Sequence, residues 1–418
     1  MLIERVNTSK EDIPSGFYHS NKGDMKENGP IPPTETIVSV VPDRSYREWR
    51  LRVALWCGAI VLGFLHTWPH RHTFTNLDGI SYLDIGDAYF RGDWGTAISA
   101  YWSPLYSWLL GLGMLILKPL PYWEFSVLHL INFVIYLCAL SCFDFFLCEL
   151  IRYQGQTTGF SQDGRVALPE WAWLALGYSL FIWSSLVHIV LWMESPDMCV
   201  AAFVYLTSGI LLRIRMGRAG WLTFVVLGAV LGFGYLAKAA MFPLAFLFLL
   251  VSLFSVSNLR RAITPVLAAL VVFFLVAGPF IVALSKAKGR LTFGDTGKLN
   301  YVWFVNCVDN WPHNWPRHWP HWQGELPGNG TPKHPARKIF DEPTIYEFGT
   351  PVGGTYPMWY DPSYWWEGVI PYFDPIDQIR RMKLSANNYY SLFFFNPYNP
   401  YFFNPQSGLL VGLLTLTW

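Results

Sequence analysis

The chain has 418 residues, of which 52% are hydrophobic and only 14% charged, well below the roughly 25% charge of an ordinary soluble domain. That composition excludes a protein whose main solvent is water. With a net charge of +1, no global field draws in nucleic acid or an acidic polymer.

Residues 1 to 48 are polar, carry Pro and Gly and lack a signal-peptide pattern, which predicts a disordered cytoplasmic tail. The first span runs from about Leu51 to Trp68. Arg44, Arg47, Arg50 and Arg52 crowd its start, and the positive-inside rule places that start in the cytoplasm. Residues 69 to 102 then form an outer loop, in which Ile80, Leu83, Ile85 and Tyr89 make one face of a short helix lying on the membrane.

A short apolar helix follows from Pro104 to Leu117, broken by Lys118-Pro119-Leu120-Pro121, and then a long span from about Phe125 to Leu150. After a polar loop over 151 to 168, apolar sequence runs from Trp171 to Trp192 and stops at Met193-Glu194-Ser195-Pro196-Asp197. A helix continues to Leu212, and Arg213, Arg215 and Arg218 mark the inside. Trp221 to Leu236 leads outward to Lys238, Met241 to Val256 leads back to Arg260 and Arg261, and Thr264 to Leu284 leads out again. Three apolar segments therefore separate two loops that both belong outside, so one is not a simple crossing. The candidates are the Pro104 helix, about 21 Å long, and the Trp171 to Trp192 stretch read as two half-helices.

From Lys286 the composition turns to Pro, Gly, Asn, Trp and Tyr with almost no helical periodicity. The expected organisation is an all-α polytopic helical bundle over 49 to 285 and a large Trp- and Pro-rich outer region over 286 to 406. Residues 407 to 418 read as the start of a truncated membrane helix. Four of the six cysteines, Cys57, Cys138, Cys142 and Cys148, sit in apolar runs and none has CxxC spacing, which argues against a thiolate metal site.

Several polar residues stand at the outer membrane surface in this topology. Asp84, Asp87 and Asp93 read as solvated acids. Asp78, next to Gly79 at a helix start, is either a helix cap or a general base or metal ligand. Glu194 and Asp197 form a second acidic site; acids beside hydrocarbon are costly unless hydrated or paired, and with Asp78 they offer oxygen ligands to a divalent cation such as Mg or Mn. Lys238 either snorkels or holds a lipid-linked phosphate at headgroup depth. Trp359, Trp365 and Trp366 either stack on sugar rings or anchor the loop at the interface.

Four segments, Asp78-Gly79-Ile80-Ser81-Tyr82, Trp102-Ser103-Pro104-Leu105-Tyr106, Glu194-Ser195-Pro196-Asp197-Met198 and Leu236-Ala237-Lys238, together resemble bacterial GT-C glycosyltransferases, the superfamily of protein O-mannosyltransferases and lipid A aminoarabinose transferases. The resemblance covers roughly residues 50 to 285. It implies a multi-pass enzyme of the cell inner membrane, with its site facing the periplasm, that takes a sugar from a polyprenyl-phosphate donor to a glycan, lipid or protein acceptor. Asp78 matches the family's first-loop catalytic aspartate, Asp197 the acid of its second outer loop, and Lys238 a basic residue near the lipid phosphate. The family often has Asp-Glu where this chain has Asp78-Gly79. A transporter or flippase of lipid-linked sugars is the alternative, and would show pseudo-symmetric halves and broken midplane helices.

Overall fold

Hydrocarbon offers a peptide group no hydrogen-bond partner, so apolar segments entering a bilayer satisfy their backbone internally as helices. The computed structural model describes residues 44–158, 168–256, 258–306, 336–340, 342, 345–348, 361–365 and 370–393. Apart from Arg44, these lie in one unit, Ser45–Trp418. In chain order the first ten helices are α1 (Arg44–Thr67), α2 (Leu77–Arg91), α3 (Trp94–Ala97), α4 (Pro104–Leu117), α5 (Glu124–Thr158), α6 (Glu170–Trp183), α7 (Asp197–Arg215), α8 (Trp221–Ala237), α9 (Met241–Ser255) and α10 (Leu259–Lys288). A π-helical turn, Ser184–Ile189, extends α6. Among the described residues, α1, α5, α6 with its extension, α7 and α10 are long and apolar enough to cross a membrane, while α4, α8 and α9 are apolar but shorter. The chain is a helical membrane protein.

Side-chain contacts give the helix directions. Arg52 of α1 lies 3.6 Å from Asp144 of α5, Tyr136 donates to the Ala59 carbonyl (2.9 Å), and Ser126 donates to the Arg71 carbonyl just past α1 (3.0 Å). Thus α5 runs antiparallel to α1. Tyr178 donates to Asp144 (2.7 Å), so α6 sets out from the Asp144 end and returns to the end that carries Asp78.

This arrangement settles the crossing left open by the sequence. Tyr106, near the start of α4, donates to Asn132 (2.7 Å), whereas Gly113, two turns on, packs on Ile131 and Val127. α4 therefore runs back along the first turns of α5 and ends where α5 begins. It is not a crossing. The other candidate, the Trp171 to Trp192 stretch, is one helix with a widened last turn.

At the opposite end Glu149, 1% exposed, is met by Arg152 (2.8 Å), Arg218 (3.1 Å) and Arg213 (4.0 Å). A carboxylate out of water is tolerated when cations and donors surround it, and these three come from α5, α7 and the turn after α7. The second half of the bundle packs through small residues: Gly228 of α8 lies against the Ala269 carbonyl of α10, and a Cβ on Gly232 would lie 2.7 Å from Val276 Cβ.

Three boundaries differ from those expected. α1 already begins at Arg44 rather than after a tail reaching residue 48, and α10 continues to Lys288. The region after it, expected to lack helical periodicity, contains α11 (Thr296–Phe304), α12 (Pro362–Trp365) and α13 (Pro375–Phe393), with an antiparallel hairpin of β1 (Ala336–Phe340) and β2 (Ile345–Phe348). α13 does have a signal in Ile376, Ile379 and Met382 at three-residue spacing and an Asp377–Arg380 pair (2.9 Å). The expected terminal helix over 407 to 418 lies outside the described residues.

Replacing Gly228 by Val should drive methyl groups into the α10 backbone, an overpacking that typically costs about 1–3 kcal/mol. Gly278, with open space at its Cβ position, provides the control. Thermal inactivation in detergent should shift down for Gly228→Val and stay put for Gly278→Ala; equal behaviour of the two variants would contradict the α8–α10 contact.

Candidate active site

A helix start leaves backbone N–H groups without partners, and a side chain just before it is placed to accept from them. At α2 that residue is Asn76, whose side chain accepts from the Asp78 N–H (3.1 Å). The cap is therefore supplied two residues before Asp78, and the capping reading of Asp78 falls away. Asp78 sits in the first turn of α2, where a negative charge is favoured by the helix dipole.

Glu194 arrives from the α6–α7 turn, 119 residues away in sequence from Thr75. It is fully buried and accepts from Thr75 N–H (3.3 Å), Thr75 Oγ1 (2.8 Å) and Asn76 N–H (3.1 Å). Burial pushes its carboxyl above the usual glutamate value, against the opposing pull of these hydrogen bonds. A Cβ on residue 79 would lie 2.5 Å from Glu194 Cβ and 2.9 Å from Cγ. Only glycine lets α2 approach this closely, so Asp78-Gly79 is the half of a contact that Glu194 completes.

Asp197 and Lys238 meet on the same end of the bundle. Lys238 Nζ donates to Asp197 Oδ1 at 2.5 Å, and Ser195 donates to Asp197 Oδ2 (3.2 Å). Both partners are 43% exposed, so the pair orients two charges and adds little stability. Lys238 also ends α8, its N–H bonded to the Gly234 carbonyl.

Aromatic residues join the two clusters. Tyr82, one turn after Asp78, is buried, and its hydroxyl is raised above the usual tyrosine range by burial and then by the negative charges of Asp78 and Asp197. It packs edge-on against Trp102 and Tyr106, each at 5.0 Å. Tyr101 is raised likewise, by burial and then by Asp78. The segment after α10 closes this side: Asp295 N–H bonds to the Ala100 carbonyl (2.7 Å), Thr296 to the Tyr101 carbonyl (2.5 Å), and Tyr235 to the Phe293 carbonyl (2.9 Å). Arg290 grips both oxygens of Asp295 at 2.6 Å.

The structure thus brings Asp78, Glu194, Asp197 and Lys238 to one end of the bundle, with Thr75, Asn76, Tyr82, Tyr101 and Trp102 added to them. Tyr82 and Trp102 stood within the segments that carry the resemblance; Thr75 and Asn76 did not. Among the remaining acids, Asp87 pairs with Arg91 (3.0 Å) and Asp93 caps α3 through Thr96. Trp359 and Trp366 lie outside the described residues, as does the side chain of Trp365. Of the oxygens offered to a divalent cation, those of Glu194 accept from Thr75 and Asn76, and those of Asp197 accept from Lys238 and Ser195. Among the described residues no group of three or more His, Cys, Asp and Glu is arranged to hold a metal ion.

Because native Glu194 holds its proton more tightly than the unfolded chain does, stability should fall as pH rises from about 4.5 toward its raised value. Glu194→Gln should remove that slope and, by turning an amide N–H toward donors, cost about 1–3 kcal/mol. Unfolding followed across pH 4 to 8 for both proteins checks this; an unchanged slope would place the titration elsewhere. No family model, no curated protein and no solved structure matches the chain.

Proposed function

We propose that this chain is an inverting glycosyltransferase that moves a sugar from a polyprenyl-phosphate donor to an acceptor hydroxyl. The observation that carries the reading is the meeting of four segments far apart in sequence, 75–82, 101–106, 194–197 and 235–238, around an acid, an acid–lysine pair and an aromatic wall. The resemblance of those same segments to GT-C enzymes supports it.

In this mechanism Asp78 takes the proton of the acceptor hydroxyl as its oxygen attacks the anomeric carbon. The bond from that carbon to the phosphate oxygen breaks, and its electron pair leaves with the polyprenyl phosphate. Lys238, oriented by Asp197, offsets the charge on the departing phosphate. Tyr101, half-buried and backed by the buried Trp102, offers a ring to a sugar. No step passes through a metal. The arginines around Glu149 face the cytoplasm and the Asp78 end faces outward, so the transfer takes place on the outer side of the cell membrane.

Asp78→Asn leaves the Asn76 cap in place and removes the base, so transfer from a polyprenyl-phosphate sugar should fall about 100-fold to 10,000-fold with little loss of thermal stability. Asp84→Asn should do far less. Wild-type transfer by well-folded Asp78→Asn protein would reject Asp78 as the base.

A headgroup-level cation meets phosphate in both ground and transition states, so Lys238→Ala should raise the donor KM more than it lowers kcat, with Lys238→Arg retaining much of the affinity. An unchanged donor KM in the alanine variant would leave Lys238 no role beyond its pair with Asp197.

A further inference from the structure

A second polar site lies on the flank of the bundle, between the end of α1 and the start of α5. There a cavity of about 190 Å³ is walled by Phe64, Trp68, Leu130 and Phe133 and bordered by Arg71 and His129. Phe64 and Leu130 are 45% and 50% exposed, so the cavity opens on the surface that faces lipid. Arg71 stands at its mouth, its guanidinium 4.5 Å from the Trp68 ring centroid and donating to the Trp68 carbonyl (3.0 Å). Among the described residues Arg71 has no carboxylate partner, and no acid lines the cavity.

The site is held in shape. Ser126 donates to the Arg71 carbonyl (3.0 Å) and His129 Nε2 donates to the Thr73 carbonyl (3.1 Å), fixing the chain that carries Arg71 to the first turns of α5. An apolar trough capped by an unneutralised guanidinium at the level of Trp68 and Trp123, residues typical of the membrane interface, matches an acyl chain joined to an anionic headgroup.

We propose that this cavity binds an anionic glycerophospholipid of the surrounding bilayer, its phosphate on Arg71 and one acyl chain between α1 and α5. The lipid-facing opening favours a bilayer lipid as the occupant. The site is independent of the glycosyl-transfer reading.

The test uses the full chain in nanodiscs of phosphatidylcholine with a minor fraction of phosphatidylglycerol. Retained lipid is read by native mass spectrometry after release into detergent, for the wild type, Arg71→Gln and the cavity-filling Leu130→Trp. The wild type should retain phosphatidylglycerol over phosphatidylcholine, and each variant should lose about tenfold of that retention, the scale of one charge-assisted hydrogen bond. Equal retention of the two lipids by the wild type would overturn the proposal. So would undiminished phosphatidylglycerol on both variants. Thermal inactivation near the wild-type temperature for Arg71→Gln shows that lost retention is not lost folding.

Discussion

A carboxylate taken out of water must find donors or cations, because desolvating the charge costs several kcal/mol. This protein places one such group near each end of its helical bundle. Glu149 gathers three arginines from α5, α7 and the following turn, and Glu194 gathers three donors from Thr75 and Asn76. Each acid obliges segments that are remote in sequence to meet. At the Glu194 end this requirement sets the local architecture: the segment before α2 is pinned, α2 is drawn in until only glycine fits at position 79, and the first turn that carries Asp78 is fixed in place.

The chemistry of that end follows from how differently its charges are treated. Glu194 is sealed, with both oxygens engaged, which makes it a group that positions others. Asp197 and Lys238 are half-exposed and paired with each other. Asp78 is relieved of capping by Asn76 and lies beside two tyrosines that feel its charge. Asp78, the Asp197–Lys238 pair and the rings of Tyr82, Tyr101 and Trp102 thus stand at one end of the bundle, the arrangement on which the proposed glycosyl transfer rests.

The apolar runs, their lengths and the arginine clusters were legible because hydrocarbon thickness and charge asymmetry act on local sequence. The status of α4 was not, since a 14-residue apolar helix satisfies its backbone equally well crossing or turning back, and the choice rests on Tyr106 meeting Asn132. Asp78, Asp197 and Lys238 stood out as polar residues beside apolar runs. Thr75 and Asn76 are ordinary loop residues until Glu194 meets them across 118 and 119 positions, and no spacing rule encodes that meeting. Gly79 looked like a missing acid, and the contact with Glu194 gives it a steric reason. In α11 the helix is only nine residues long, too short for a periodic pattern, whereas the pattern in α13 was present.

The joint at Lys238 lies between α8 and α9, helices of 17 and 15 residues, which at about 1.5 Å per residue reach roughly 26 and 22 Å. A typical hydrocarbon layer is about 30 Å thick. The difference is a hydrophobic mismatch, and a bilayer meets a short span by thinning locally at a cost of fractions of a kcal/mol per Å. A bilayer spanned by helices of these lengths would thin beside them, and longer-chained lipids would pay more to meet the joint.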